Sequence, residues 1–138
     1  MTTVNEKRVF PENEIIPFYN LDGRAVFYLY SDGIYFYHYD GTPLGYLHSN
    51  QFIISFSGRY LGWIHNGWIM DYADGSCAFF SPYASGGVSK PSRQSRPSRS
   101  SRMSRPSRSS RESRPSRPSR TNRWSNNSSE AFFPDYGL

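Results

Sequence analysis

The chain has 138 residues, room for one domain, and carries a net charge of +5. Its single cysteine, Cys77, excludes an intramolecular disulfide and fits a reducing, cytoplasmic setting. No apolar run reaches the roughly eighteen residues of a membrane-spanning helix, and no apolar stretch follows Lys7 and Arg8 as a secretory leader would require. The charge is split along the chain. Residues 1–88 carry a net charge of −4 and residues 89–138 a net charge of +9, so a mildly acidic part is joined to a strongly basic one. That asymmetry points to contact with nucleic acid or another polyanion.

Residues 1–14 are polar and without pattern, and a flexible arm is expected there. Residues 15–83 hold 19 of the 24 aromatic residues, so the core must lie in this stretch. It is one phrase written four times. Aligning Gly23, Gly41, Gly58 and Gly75 superimposes LDGRAVFYL, YDGTPLGYL, FSGRYLGWI and ADGSCAFFS, at spacings of 18, 17 and 17 residues. Asp-Gly flanked by apolar residues signals a β-hairpin, here expected to turn through a type I′ geometry with positive φ at both central positions. With a period of two, Val26, Leu44, Leu61 and Ala78 should share a face with Tyr28, Tyr46, Trp63 and Phe80. The other face alternates large and small residues: Phe27, Gly45, Gly62 and Phe79. On the incoming strand, Phe18, Phe36, Ile53 and Met70 take equivalent places. One hairpin is marginal in water, whereas four in a ring bury an aromatic face and leave no exposed strand edge. The expected fold is all-β: four hairpin repeats in a pseudo-four-fold ring, a small closed or nearly closed module.

The phrases DGRAV, DGTPLGYL and GRYLGWIHNGWI resemble the four-fold beta-flower domain of bacterial proteins over roughly residues 15–83. The resemblance implies a pseudo-four-fold β arrangement and no particular activity, and the Arg/Ser run that follows lies outside it.

Residues 84–128 read as a Gly/Ser linker and a disordered tail. Arginine stands at every third position without a miss: Arg93, Arg96, Arg99, Arg102, Arg105, Arg108, Arg111, Arg114, Arg117, Arg120 and Arg123. Serine precedes all but the last. Prolines 97, 106, 115 and 118 forbid a helix, while three residues make one turn of polyproline II, which would line the arginines along one edge about 9 Å apart. Such a ribbon suits a polyanion by charge, without base recognition, because the interleaved aromatics that grip single-stranded bases are missing. If all eleven arginines met phosphates, the salt slope would be roughly −8 for single strands and −10 for duplex. Residues 129–138 are apolar again. They either dock on the ring or serve as a linear peptide for a partner.

Other residues have plain explanations. His48 and His65 are equivalent positions of two repeats and His38 lies on an incoming strand, and neither cysteine nor carboxylate stands at ligand spacing to them, so no metal is expected. Asp22, Asp40 and Asp74 are turn residues, and Cys77 is a small buried hydrophobe. A ring this small cannot hide nineteen aromatics, so Tyr60, Trp63, Trp68 and Tyr72 are candidates for an exposed binding face. No catalytic constellation and no cofactor motif appears. The sequence supports a non-enzymatic binding or assembly module whose Ser-Arg-x ribbon binds a polyanion, nucleic acid among them. The alternative is a structural scaffold whose aromatic face binds a protein partner and whose tail is a solubilising spacer.

Overall fold

The computed structural model describes residues 9–136. Each repeat glycine reverses the chain, because it takes a backbone conformation that a Cβ would strain: φ is +78° at Gly23, +96° at Gly41, +95° at Gly58 and +78° at Gly75. Four hairpins result. They pair β1 (Ile16–Tyr19) with β2 (Ala25–Leu29), β3 (Tyr35–His38) with β4 (Pro43–His48), β5 (Phe52–Ile54) with β6 (Tyr60–His65), and β7 (Trp68–Asp71) with β8 (Cys77–Phe80). Every sequential neighbour is antiparallel, and Tyr19 opposite Phe80 joins β1 to β8. The eight strands therefore form a closed barrel, the all-β ring expected from the repeat.

Three details of the sequence reading are corrected. The turns at the repeat glycines are not type I′. In each turn pair only the glycine has positive φ, and in the first three turns its N–H donates to the carbonyl three residues back, as Gly23 N does to Asn20 O, a tight turn closed by a glycine bulge. The type I′ geometry is found instead between repeats, where Ser49-Asn50 and Asn66-Gly67 both have positive φ. Second, a separate bulge in each returning strand breaks the period of two. Phe18 pairs with Phe27 and Tyr19 with Ala25, leaving Val26 as the extra residue, and Leu44, Leu61 and Ala78 occupy the same place in the other hairpins. These four residues consequently pack with the barrel interior, whereas Tyr28, Tyr46, Trp63 and Phe80 lie on the outer face. Third, the fourth turn is one residue longer, with Gly75 N donating to Asp71 O, so Ile69 rather than Met70 faces inward beside Phe79.

An eight-stranded barrel is just wide enough to be filled by side chains. The interior holds Phe18, Phe27, Phe36, Ile53, Ile69 and Phe79, and the small Gly62 leaves space that the C-terminal segment uses. A short helix, α1 (Ser129–Phe132), is capped by Ser128, whose side chain accepts from Ala131 N. Phe133 is fully buried with its ring 4.9 Å from Phe27, and Phe132 lies 5.4 Å from Phe79. A Cβ on Gly62 would come within 2.9 Å of the Phe132 ring, so the large–small alternation makes room for this plug as well as for neighbouring strands. Tyr136 stacks on His38 and donates to Asp40 Oδ2 at 2.7 Å. The segment 129–136 thus docks as a lid. The other end is covered by Phe10, 6% exposed and set edge-on to Phe18, so the arm expected to be loose is anchored from that residue on, while residues 1–8 lie outside the described residues.

Candidate polyanion interface

The outer face of the barrel is as aromatic as its interior. Tyr19, Tyr28, Tyr37, Tyr39, Tyr46, Phe52, Phe56, Trp63, Trp68 and Phe80 form a second buried cluster there, and the residues that cover it come from 88–124. From residue 89 to 121 the chain has neither helix nor strand, in keeping with the extended conformation expected of it. It does not stand apart from the domain, however. It runs once around the barrel as a strap.

The strap is fastened by a rule of nine. Gln94, Met103, Glu112 and Thr121 donate their backbone N–H groups to the carbonyls of Gly23, Gly41, Gly58 and Gly75 at 2.8, 2.9, 2.9 and 2.9 Å. Ser100 and Ser109 donate likewise to Tyr39 and Phe56, while the equivalent slots hold Pro91 and Pro118, which have no N–H to give. Each repeat glycine is therefore needed twice over. Besides its positive φ, a methyl group on Gly23, Gly41, Gly58 or Gly75 would overlap the carbonyl oxygen of Ser92, Ser101, Ser110 or Ser119. Nine strap residues correspond to one hairpin. At its end Trp124 pairs with Cys77 in a parallel bridge and packs against Trp68 and Phe80, and beyond it the Ser125 hydroxyl and Asn127 amide donate to the buried Asp71 carboxylate at 2.9 and 2.8 Å.

Between these fastenings the arginines lie on rings. Arg93 sits over Tyr19, Arg99 over Tyr28, Arg102 over Tyr30, Arg105 over Tyr35, Arg108 over Tyr46, Arg114 over Phe52 and Arg117 over Trp63, with Lys90 over Trp68. A planar guanidinium is suited to this, since it stacks on an aromatic face and keeps its N–H edge in water. All eleven arginines remain exposed. Arg123 pairs with Asp74 at 3.0 Å, and among the described residues it is the strap arginine with a carboxylate partner at that range. Burial pushes the Tyr39 hydroxyl up to about 12, against the opposing charge of Arg96. Burial, reinforced by Arg120 and Arg117, holds His65 below the usual histidine range.

The candidate aromatic face is placed differently from the sequence reading. Trp63 and Trp68 are 2% and 1% exposed beneath the strap, and only Tyr60 and Tyr72 of the four are half-buried. Their neighbours are strap residues: Tyr72 donates to Pro115 O and Glu112 accepts from Tyr60 N. The strap covers the outer-face aromatics that the barrel interior has no room for, while Tyr83 stays 46% exposed. A signal for it was present in the free slot of the Ser-Arg-x triplet, where proline recurs at 97, 106 and 115, half the hairpin period. Of the turn aspartates, Asp40 and Asp74 accept from Thr42 N and Ser76 N as turn residues do. Cys77 is buried, with its thiol 3.7 Å from Thr121 O. No helix among the described residues is long and apolar enough to cross a membrane.

A closed antiparallel barrel of four hairpins, wrapped by one extended arginine-rich strap, defines an all-β repeat protein with a basic outer girdle. The family model of the 4-fold beta flower protein matches residues 16–133, and the chain belongs to that family. The match runs through the Arg/Ser segment to the plug, well past residue 83, where the resemblance read from sequence ended. No curated protein and no solved structure gives a significant match.

Proposed function

We propose that the protein is a non-enzymatic, cytoplasmic binding module whose arginine girdle takes up flexible polyanions without sequence preference, single-stranded nucleic acid among them. One observation carries this reading: all eleven strap arginines stay exposed although seven of them lie over barrel rings. Guanidiniums held in place lose less side-chain freedom on meeting phosphate, so binding starts from an ordered site. Contacts of this kind go to backbone phosphate and carry no base information.

The girdle's shape sets the preference. A duplex has a persistence length of about 50 nm and stays straight on the scale of this barrel, so it meets one side of the ring. A single strand can follow the strap around it. With about five arginines in reach, duplex binding has a salt slope near −4.5, while a wrapped single strand engaging all eleven approaches −8. Fluorescence anisotropy of labelled oligothymidine and of a duplex, titrated with the full chain from low to physiological salt, tests this. A steeper slope and tighter binding for the single strand support the proposal. Equal slopes, or no binding by either, would overturn it.

The alternative is a scaffold in which the half-buried Tyr60 and Tyr72 begin a protein contact and the strap only shields and solubilises the rest. In that case oligonucleotides leave the protein unaffected, and binding of a protein partner is insensitive to salt.

A further inference from the structure

We infer that Arg102, Arg105 and Arg108, together with Tyr35 and Tyr37, form a discrete niche for a phosphate group of an oligophosphate chain. The inference deepens the girdle reading and rests on it: it names one quarter of the ring as the place where phosphate is held best.

The symmetry of the ring is broken there. Three consecutive guanidiniums make the closest ring contacts of the whole strap, 3.7 Å for Arg102 on Tyr30, 3.9 Å for Arg105 on Tyr35 and 3.9 Å for Arg108 on Tyr46. The principal contacts elsewhere range from 5.1 to 5.8 Å. Two phenols also fix orientation: Arg105 donates to the Tyr37 hydroxyl at 3.1 Å and Arg108 to the Tyr35 hydroxyl at 2.8 Å. The positions equivalent to this tyrosine pair are Pro17 and Tyr19, Phe52 and Ile54, and Trp68 and Met70, so at these positions only the second hairpin offers two hydroxyls. All five residues line one open groove between strap and barrel. Asp32 supplies an opposing charge that acts on Arg105.

Three positive groups set in one concave groove focus potential on it. Arg105 and Arg108 each have an edge anchored by a phenol and Arg102 has its face on Tyr30, which leaves free N–H edges to recognise phosphate by paired donors. A lysine at the same place would keep the charge and lose the fork. The shared chemistry is a phosphodiester or phosphoanhydride oxygen, from a nucleic-acid backbone or from a free oligophosphate.

The test is calorimetric titration of the full chain with tripolyphosphate and, separately, with oligothymidine, using Arg105→Lys and the equivalent Arg96→Lys one quarter earlier. Arg105→Lys should weaken binding roughly tenfold, the loss expected for charge-assisted hydrogen bonds, with Arg96→Lys within about twofold of wild type. Tighter tripolyphosphate binding would identify a free oligophosphate as the occupant, and tighter oligothymidine binding a nucleic-acid backbone. Equal loss in both variants would overturn the niche and leave the girdle standing. No binding of either probe would remove both. Should Arg105→Lys fail to fold, the wild-type tyrosine resonances decide: shifts confined to Tyr35 and Tyr37 on adding tripolyphosphate support the niche, and unshifted or uniformly shifted tyrosines refute it.

Discussion

Replacing Gly75 by alanine separates the two demands placed on the repeat glycines. Gly86 provides the internal control, because its φ of +67° is close to the +78° of Gly75, yet nothing lies within 4 Å of a Cβ built there. Both substitutions therefore carry the strain of an alanine in the left-handed region, about 1–2 kcal/mol. Only at Gly75 does the new methyl overlap Ser119 O, which must retreat to an ordinary contact of 3.4 Å or more. That retreat breaks the hydrogen bond from Thr121 N to Gly75 O, a loss of about 1 kcal/mol, and loosens the neighbouring Trp124 packing by a similar amount. Gly75→Ala should thus cost about 2 kcal/mol more than Gly86→Ala, a further fall in melting temperature of about 6–10 °C for a domain of this size. Denaturant unfolding followed by tryptophan fluorescence gives the stability difference. Amide exchange at Thr121 reports whether the strap has lifted. Equal destabilisation by the two alanines, with Thr121 still protected, would refute the idea that the strap is fastened through the glycines.

Further outcomes follow from the plug, the lid and the buried phenol. Phe133→Ala empties the site between Phe27 and Phe36 and should destabilise the barrel by about 3–5 kcal/mol, measured by denaturant midpoint. Asp71→Ala leaves Ser125 and Asn127 without their buried acceptor, and about 2 kcal/mol should be lost, with faster amide exchange beyond residue 124. Asp40 has burial raising its carboxyl, but the hydrogen bonds from Tyr136 and Thr42 outweigh it and hold the group below its ordinary 3.8. Its contribution is therefore present above that value and lost as the pH falls below it, and Tyr136→Phe should flatten the acid limb of the stability curve. Tyr39, raised to about 12 by burial, favours the folded state below pH 10 and loses that effect between pH 10 and 12. Tyr39→Phe should abolish that part of the alkaline decline.

The four hairpins were legible because an Asp-Gly or Ser-Gly phrase at near-constant spacing leaves little freedom in where the chain turns. The faces were less so. A period of two assumes an unbroken ladder, and the bulges at Val26, Leu44, Leu61 and Ala78 move those residues inside without altering the sequence pattern around them. Met70 was misplaced because the alignment was anchored on glycine and absorbed the extra residue of the last turn. The strap escaped for a different reason. Serine, arginine and proline are the residues of a solvated chain, and their composition gives no hint of a surface waiting beneath. The excess of aromatics over what one core could bury was the other half of that information, and the two halves become one statement only when Arg102, Arg105 and Arg108 are seen on their rings.

A three-residue repeat that must be read in nines has three frames. Sliding the strap by one Ser-Arg-x triplet would leave every arginine in phase with its neighbours, so the arginine pattern alone cannot choose among them. Proline can. One frame forward would bring 97, 106, 115 and 124 to the glycine carbonyls, and three of these are prolines with nothing to donate; one frame back would bring Pro91 and Pro118 there. In the observed frame Gln94, Met103, Glu112 and Thr121 all donate. The third slot of the triplet, which looks arbitrary when read along the chain, keeps the reading frame of a strap that would otherwise slip.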